Sequence, residues 1–191
     1  MFVQQNPPMS SATTRVTPGS ALERRFDKTV AFLRKHVPPG SKLLDLGTRN
    51  VFSEVLEDDG YVVRNTQGEN LDLDYHAYLN TDADVVTAFE IFEHMLAPFN
   101  ILRELKTDKL VASVPLKLWF SDVYWNEADD WDKHYHEFEV KQFDYLLRHA
   151  GWTVKDSELW TSFDKGKLGI RPLLRRFTPR YYVVYAEREK D

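Results

Sequence analysis

The sequence contains no cysteine. Disulfides, thiolate metal ligands and a cysteine nucleophile are therefore excluded, and nothing indicates an oxidising compartment. The sequence also lacks any run of about 18 apolar residues, and its first residues lack the charged and apolar segments of a signal peptide. These absences predict a cytoplasmic protein that is neither secreted nor inserted in a membrane.

The sequence also has fewer basic than acidic residues. The chain has 25 Lys and Arg residues against 30 Asp and Glu residues, which gives a net charge of -5. Proteins that bind along a nucleic-acid backbone carry the opposite excess, so no nucleic-acid partner is expected. In contrast, 42% hydrophobic and 14% aromatic residues in a chain of 191 provide a real core and exclude wholesale disorder.

The chain divides into a short arm and a single domain. Residues 1–20 contain several Pro, Ser and Thr residues without periodicity, which predicts a flexible N-terminal arm. Residues 21–191 are predicted to form one domain. Its first element is a helix from Ala21, because apolar residues recur at helical intervals until Pro38 and Gly40 end the pattern.

Apolar runs and amphipathic segments then alternate along the chain. Strands are predicted at 42–47, 61–63, 84–89, 109–115, 152–154 and 181–185, and further helices at 52–56, 98–106 and 140–147. This alternation predicts an α/β fold with a mostly parallel sheet that is covered on both faces.

The first strand ends in Asp45-Leu46-Gly47. In an open parallel sheet, ligands bind beyond the carboxyl ends of the strands, and a glycine there allows the backbone to approach them closely. A plain turn between strand and helix has the same pattern, so these three residues alone do not establish a binding site.

Four segments carry a more specific signal through their order: LLDLGTRN at 43–50, ADVVTAFEIFEHMLAPFNILRELK at 83–106, LVASVPLKLW at 110–119 and HYHEFEVKQFDYLLRHAGW at 134–152. Together they resemble the class I S-adenosylmethionine-dependent methyltransferases over roughly residues 40–187. The resemblance implies a doubly wound, Rossmann-like sheet, S-adenosylmethionine as the cofactor, and methyl transfer to a small-molecule acceptor.

The resemblance also implies roles for individual residues. Asp45, Gly47 and the turn that includes Thr48 and Arg49 would face the amino-acid end of the cofactor. Phe89 and Glu90 would line the pocket beside the sulfonium.

The Glu93-His94 pair would begin a helix near the methyl donor, although a helix-terminal carboxylate and a capping histidine are the alternative. A general base is needed only if the acceptor atom carries a proton. The catalytic candidates are His94 and His136, with His134 as a further possibility.

The glycine motif departs from the family pattern. Arg49 and Val51 stand where small residues are usual, so their side chains would crowd the cofactor or widen the turn. We expect Gly47→Arg to abolish cofactor binding in a folded protein. An alternative hypothesis is a methyltransferase-like scaffold that has lost cofactor binding, with Arg49 filling the pocket.

A second departure concerns the acid that normally holds the ribose hydroxyls. Asn65 occupies its expected position, and the interval from Asp45 to Asp84 is too short for the usual two helices and two strands. We therefore predict a shortened or missing third strand. Asp72 or Asp74 would then approach the ribose or adenine, unless both belong to a solvated acidic loop.

Two later segments concern the acceptor. The stretch 165–180 is basic and lacks acids, so it would suit a phosphate or carboxylate on the acceptor, or else be a solvated loop. The aromatic-rich insert 116–138 would form a substrate lid or cover the core. His134-x-His136 has the spacing of metal ligands, but no third ligand is evident, and no metal is predicted.

Overall fold

The computed structural model describes residue 17 and residues 19–162 and 169–189. Most of the predicted N-terminal arm lies outside these residues, so its flexibility stays a prediction. The first helix begins where the sequence predicts, because the Ser20 hydroxyl accepts a hydrogen bond from the Glu23 N–H at 3.1 Å and caps it.

The described residues contain five α-helices and six strands, which alternate except that no α-helix separates the second and third strands. The helices are α1 Ala21–His36, α2 Val51–Asp58, α3 Pro98–Glu104, α4 Val140–His149 and α5 Ile170–Phe177. The strands are β1 Lys42–Asp45, β2 Val62–Asn65, β3 Val85–Phe89, β4 Lys109–Pro115, β5 Trp152–Thr161 and β6 Pro179–Arg188. Every predicted helix and strand is present, β5 and β6 are longer than predicted, and α5 was not predicted.

The strands form one sheet in the order β2-β1-β3-β4-β6-β5. The first four strands in this order are parallel, and β6 runs antiparallel to both of its neighbours. The predicted α/β fold with a mostly parallel sheet is therefore confirmed.

The third strand of the family pattern is missing. Between β2 and β3 the described chain forms a short 3-10 turn, Tyr75–Tyr78, and no strand. The short interval between Asp45 and Asp84 predicted this difference, and the structure confirms it.

Two apolar cores cover the two faces of the sheet. Successive residues of β1 point to opposite faces, so Leu43 packs with α1 and α2 while Leu44 packs with α3 and α4. Both leucines are fully buried, and each contributes roughly 1.5–3 kcal/mol by burial of its side chain. Helices therefore cover both faces of the sheet.

Strand order reverses at β1, which has β2 on one side and β3 on the other. The carboxyl ends of β1, β3 and β4 therefore meet at one edge, the position at which open α/β sheets bind ligands. Among the described residues, no helix has the length and apolar character needed to cross a membrane.

Candidate functional site

Asp45 lies at the carboxyl end of β1 and is buried. Its carboxylate accepts a hydrogen bond from the Thr87 hydroxyl at 2.6 Å and another from the Asn65 side-chain amide at 2.9 Å. Burial raises the pKa of Asp45 to about 6, and these two hydrogen bonds oppose the increase. Both oxygens are therefore held in place by residues of the two neighbouring strands, β2 and β3.

Gly47 adopts a φ of 117°, which side chains rarely tolerate. Its N–H donates to the Thr66 hydroxyl at 2.8 Å, and a Cβ added here would lie 2.9 Å from Cδ1 of Ile91. The turn itself thus requires glycine. The expectation that Gly47→Arg leaves the fold intact conflicts with this geometry, since both the backbone and Ile91 oppose a side chain.

Thr48 and Arg49 are exposed in the turn between β1 and α2. The Arg49 guanidinium forms two hydrogen bonds of 2.6 Å with Glu57, on the last turn of α2. Asn50 then caps the helix by accepting the Phe52 N–H at 2.8 Å. Arg49 is held on α2, whereas the scaffold hypothesis expected it to fill the pocket.

Asn65 and Asp72, the two polar residues expected near the ribose, both have protein partners. The Asn65 amide donates to Asp45 and to the Gly47 carbonyl, the latter at 3.3 Å. The Asp72 carboxylate accepts the backbone N–H groups of Leu96 and Ala97 at 2.8 and 2.7 Å. Asp72 therefore anchors the loop before α3, and its contact with a cofactor stays a prediction.

Phe89 and Glu90 follow one another at the end of β3 but point to different surroundings. Phe89 packs edge-on against Phe52 with ring centroids 5.3 Å apart, toward the core under α1 and α2. Glu90 has a φ of 57°, an uncommon conformation for a residue with a side chain. Such strained residues concentrate at functional sites.

The Glu90 carboxylate is partly buried, with 16% of the side chain exposed, and lies between two partners. It accepts the Ser113 hydroxyl at 2.8 Å and lies 3.4 Å from the guanidinium of Arg25 on α1. Burial raises the pKa of Glu90, and the charge of Arg25 is the main opposing effect. The sequence gave no sign of this role of Arg25, because no motif links α1 to the end of β3.

Glu93 and His94 lie in a 3-10 turn, Phe92–His94, just after β3. The Glu93 Oε1 atom lies 3.8 Å from His94 Nε2, and His94 Nδ1 lies 3.1 Å from the Lys133 carbonyl. The His134 ring meets the His94 ring edge-on, with centroids 4.8 Å apart. The insert thus brings His134 to the Glu93-His94 pair.

Burial dominates the electrostatics of this cluster. It raises the pKa of Glu93 well above its usual range, and the nearby Glu90 raises it further. It also lowers the pKa of His94, and it lowers the pKa of His134 to about 4 with a further contribution from His94. Both imidazoles are therefore neutral at neutral pH, and each has a nitrogen lone pair.

His136 lies apart from this cluster. Its Nε2 atom is 3.3 Å from the Leu96 carbonyl, and its ring stacks on Phe138. The segment is irregular rather than a strand, and His134 and His136 have different partners. The sequence contained both histidine patterns but gave no sign that His134 meets His94.

A cleft of ≈ 370 Å³ opens between the insert and α5. Its lining combines aromatic and charged side chains with two aliphatic residues and a serine, namely Leu118, Ser121, Asp122, Val123, Tyr124, Trp125, Glu137, Arg171, Arg175 and Arg180. Arg180 also donates to the Leu116 carbonyl at 2.7 Å, and its charge influences Glu90, Glu93 and His134. The basic stretch and the aromatic insert therefore meet in one cleft beside the cluster.

No protein-family model matches the chain, and no curated protein matches it in sequence. Solved structures do match. The 1,6-didemethyltoxoflavin-N1-methyltransferase of Burkholderia thailandensis, solved with S-adenosylhomocysteine, is 19% identical with a TM-score of 0.60, over 86% of this chain and 78% of that one.

Two further methyltransferase structures are similar to this chain. An S-adenosylmethionine-dependent methyltransferase from Mesorhizobium loti is 14% identical with a TM-score of 0.58, over 89% of this chain and 99% of that one. The magnesium protoporphyrin IX methyltransferase of Synechocystis, with bound S-adenosylhomocysteine, is 13% identical with a TM-score of 0.58, over 88% and 84%. This chain has the fold of the class I S-adenosylmethionine-dependent methyltransferases.

Proposed function

We propose that the protein transfers a methyl group from S-adenosylmethionine to a small, anionic, aromatic acceptor. One observation supports the proposal: in a sheet with a methyltransferase fold, the Asp45–Gly47 turn and Glu90 lie at the carboxyl ends of β1 and β3, where open α/β sheets bind ligands, and the protein also has an arginine-lined, aromatic cleft. The cofactor would occupy the edge, and the acceptor would occupy the cleft.

The residues at the sheet edge suit the cofactor. The Gly47 turn lets the backbone approach a ligand, and Asp45 presents a buried carboxylate at the end of the adjoining strand. The Glu90 carboxylate would complement the positive sulfonium. Arg25 neutralises part of its charge, so the cofactor would compete with Arg25 for Glu90.

Methyl transfer is an in-line displacement at an already activated carbon. The bond between sulfur and methyl breaks with its electrons kept by sulfur, a bond from the acceptor atom to methyl forms, and S-adenosylhomocysteine is released. The protein contributes mainly by holding the two reactants in line. If the acceptor atom carries a proton, His94 is the best-placed base, because its ring is neutral and partly exposed. It is also close to the cleft, since His94 contacts His134 and His134 contacts Tyr124 of the cleft lining.

The cleft indicates the chemistry of the acceptor. Arg171, Arg175 and Arg180 supply guanidinium groups that bind carboxylates or phosphates, while Tyr124 and Trp125 offer flat faces. A planar acceptor with an anionic group would use both features. Asp122 and Glu137 in the same lining would disfavour a large anion.

The cofactor test is calorimetric titration with S-adenosylmethionine and with S-adenosylhomocysteine. We expect binding at one equivalent, weakened at least tenfold in Asp45→Asn. The matched control is Asp82→Asn, since Asp82 pairs with Lys42 at the opposite edge of the sheet and should not affect affinity. No heat and no thermal shift with either ligand, in a folded wild-type protein, would contradict the proposal.

The acceptor test follows from the cleft. Aromatic carboxylates and their neutral amides would be compared as methyl acceptors. Arg175→Gln should raise the KM for the carboxylates but not for the amides, whereas Arg148→Gln on α4, outside the cleft, should change neither. Equal preference for amides and carboxylates would remove the anionic part of the proposal.

A further inference from the structure

We propose that Glu93, His94 and His134 bind a divalent transition-metal ion. The three side chains each offer one ligand atom, and these atoms all lie within 4.8 Å of one another. The sequence predicted no metal, because the ligands come from a turn after β3 and from an insert about forty residues later.

The donor set has a defined preference. Two imidazoles and one carboxylate are the protein ligands of many catalytic zinc sites and of non-haem iron(II) sites, and all leave positions open for water or a substrate. Ligands with bonds of about 2 Å in tetrahedral geometry lie about 3.3 Å apart. The 3.8 Å between Glu93 Oε1 and His94 Nε2 is close to this spacing, so modest side-chain movement would complete the site.

Two unpartnered atoms point independently to a missing ligand. Glu93 is 1% exposed and His134 is 9% exposed, yet Glu93 Oε2 and His134 Nδ1 have no hydrogen-bond partner among the described residues. Most buried polar atoms in proteins are hydrogen-bonded. A cation bound between the side chains would compensate the carboxylate, and an ordered water is the competing occupant.

The surroundings of His94 fit a metal ligand. Its Nδ1 lies 3.1 Å from the Lys133 carbonyl, so this nitrogen carries the proton and the lone pair of Nε2 faces Glu93. Metal-binding histidines commonly donate their second N–H to a backbone carbonyl in this way. The partial exposure of the His94 side chain provides a route of entry.

Charges around the cluster act in both directions. Glu90 adds negative charge close to Glu93, and Asp132 does so near His94, which favours a cation. Arg25 and Arg180 add positive charge, but Arg25 is ion-paired with Glu90. The charges around the cluster are therefore compatible with a bound divalent ion.

The site has a further consequence that rests on the proposed function. Tyr124 lines the cleft and also contacts the His134 ring, with centroids 5.0 Å apart. An acceptor in the cleft would thus lie next to the open positions of the ion. There the ion would act as a Lewis acid on an acceptor oxygen and lower its pKa. It would replace His94 as the activating group, because it would occupy the Nε2 lone pair that a general base needs.

The test uses tag-free protein that has been treated with a chelator and then dialysed. Titration with Zn²⁺ should show one equivalent, and Co²⁺ should give visible absorption bands of a site with nitrogen and oxygen ligands. Glu93→Gln and His134→Asn should each lower the Zn²⁺ affinity at least tenfold. His149→Asn, which removes an exposed histidine at the end of α4, should leave it unchanged.

Stability measurements separate metal binding from folding. Glu93→Gln retains the shape of the side chain and removes an ionisable group whose charged form is disfavoured by burial, so its Tm without metal should equal or exceed that of the wild type. Zn²⁺ should raise the Tm of the wild type but not of this variant.

Equal Zn²⁺ affinity in all of these proteins would overturn the proposal, as would the absence of stoichiometric binding by the folded wild type, which would leave water as the occupant. Titration of the metal-free protein with S-adenosylmethionine tests the proposed function separately, because the cofactor residues lie outside the cluster.

Discussion

The side-chain amide of Asn65 donates to the carboxylate of Asp45 at 2.9 Å, across the parallel pair of β1 and β2 in which these two residues are in register. Class I methyltransferases usually have an acid at the end of the second strand, where this chain has Asn65. In this chain an acid at that position would face a second buried carboxylate. A side-chain amide at position 65 can donate a hydrogen bond to the Asp45 carboxylate, which an ionised acid at that position could not do.

Asn65→Asp should destabilise the protein by about 1–3 kcal/mol at pH 8, because it replaces a donor by a like charge next to a buried carboxylate. The cost should shrink at pH 5, where one proton can be shared between the two groups. Urea unfolding at the two pH values measures the difference.

Asn80→Asp is the control for that substitution, since Asn80 is exposed in the loop before β3. It should change the free energy of unfolding by no more than about 0.5 kcal/mol at either pH. A stable Asn65→Asp protein at pH 8 would show that Asp45 does not depend on this donor.

Asp45 should make stability depend on pH. Its pKa is about 6 in the folded protein against an ordinary value of 3.8, so the folded state binds the proton more tightly than the unfolded state. This contribution to stability is fully present below pH 3.8 and is lost as the pH rises through 6. It amounts to at most roughly 3 kcal/mol.

The comparison with Asp45→Asn isolates this effect from Glu90 and Glu93, which also titrate. From pH 4 to pH 7, the free energy of unfolding of Asp45→Asn should rise relative to that of the wild type. Chemical unfolding at several pH values gives the two curves. A constant difference across this range would mean that Asp45 keeps an ordinary pKa.

Gly47→Ala should cost about 1–3 kcal/mol, because the turn holds a positive φ and the new Cβ would collide with Ile91. Gly40→Ala provides the matched control, with a φ of 91° and nothing within 4 Å of the added Cβ. It should cost less than Gly47→Ala.

A double-mutant cycle separates the two causes of the Gly47→Ala effect. Adding Ile91→Ala to Gly47→Ala should recover the steric part of the loss, which would appear as a favourable coupling energy. Strictly additive losses would instead assign the whole effect to the backbone.

Substitution of Arg188 should lower the free energy of unfolding more than substitution of an exposed arginine does. Its guanidinium lies over the Trp152 ring and donates to the carbonyls at the ends of α3 and α4, which are those of Leu102, Arg103, Leu105 and Ala150. Arg188→Met should cost roughly 3 kcal/mol, because several carbonyls lose a charged donor at once.

Arg188→Lys should fall between the wild type and Arg188→Met, since an ammonium group keeps the charge but cannot reach both helix ends. Thermal unfolding of the three proteins gives the Tm values that rank their stabilities. Equal Tm values for Arg188→Lys and Arg188→Met would show that charge alone contributes little.

The periodicity of apolar residues predicted most of the fold, because burial on one or both faces of an element leaves a regular pattern in the sequence. The exception was α5. Ile170, Leu173, Leu174 and Phe177 have helical spacing there, but Pro172 and the arginines between them obscured it. The helix has no buried residue, so packing left little trace in its composition.

The candidate site was harder to predict than the fold. Asp45 ends β1, and Gly47 and Glu90 lie just beyond β1 and β3, so the strand pattern located them. The contact of His134 with Glu93 and the ion pair of Arg25 with Glu90 depend on how distant segments pack, which one sequence does not encode locally.

Strand β6 follows all the other strands in the chain, yet it lies between β4 and β5. While the protein is being synthesised, β5 leaves the ribosome before its hydrogen-bonding neighbour exists, and the edge of β4 is open at the same time. Unpaired edges of this kind promote aggregation. The nascent chain thus exposes two unpaired strand edges until residues 179–188 emerge and complete the sheet.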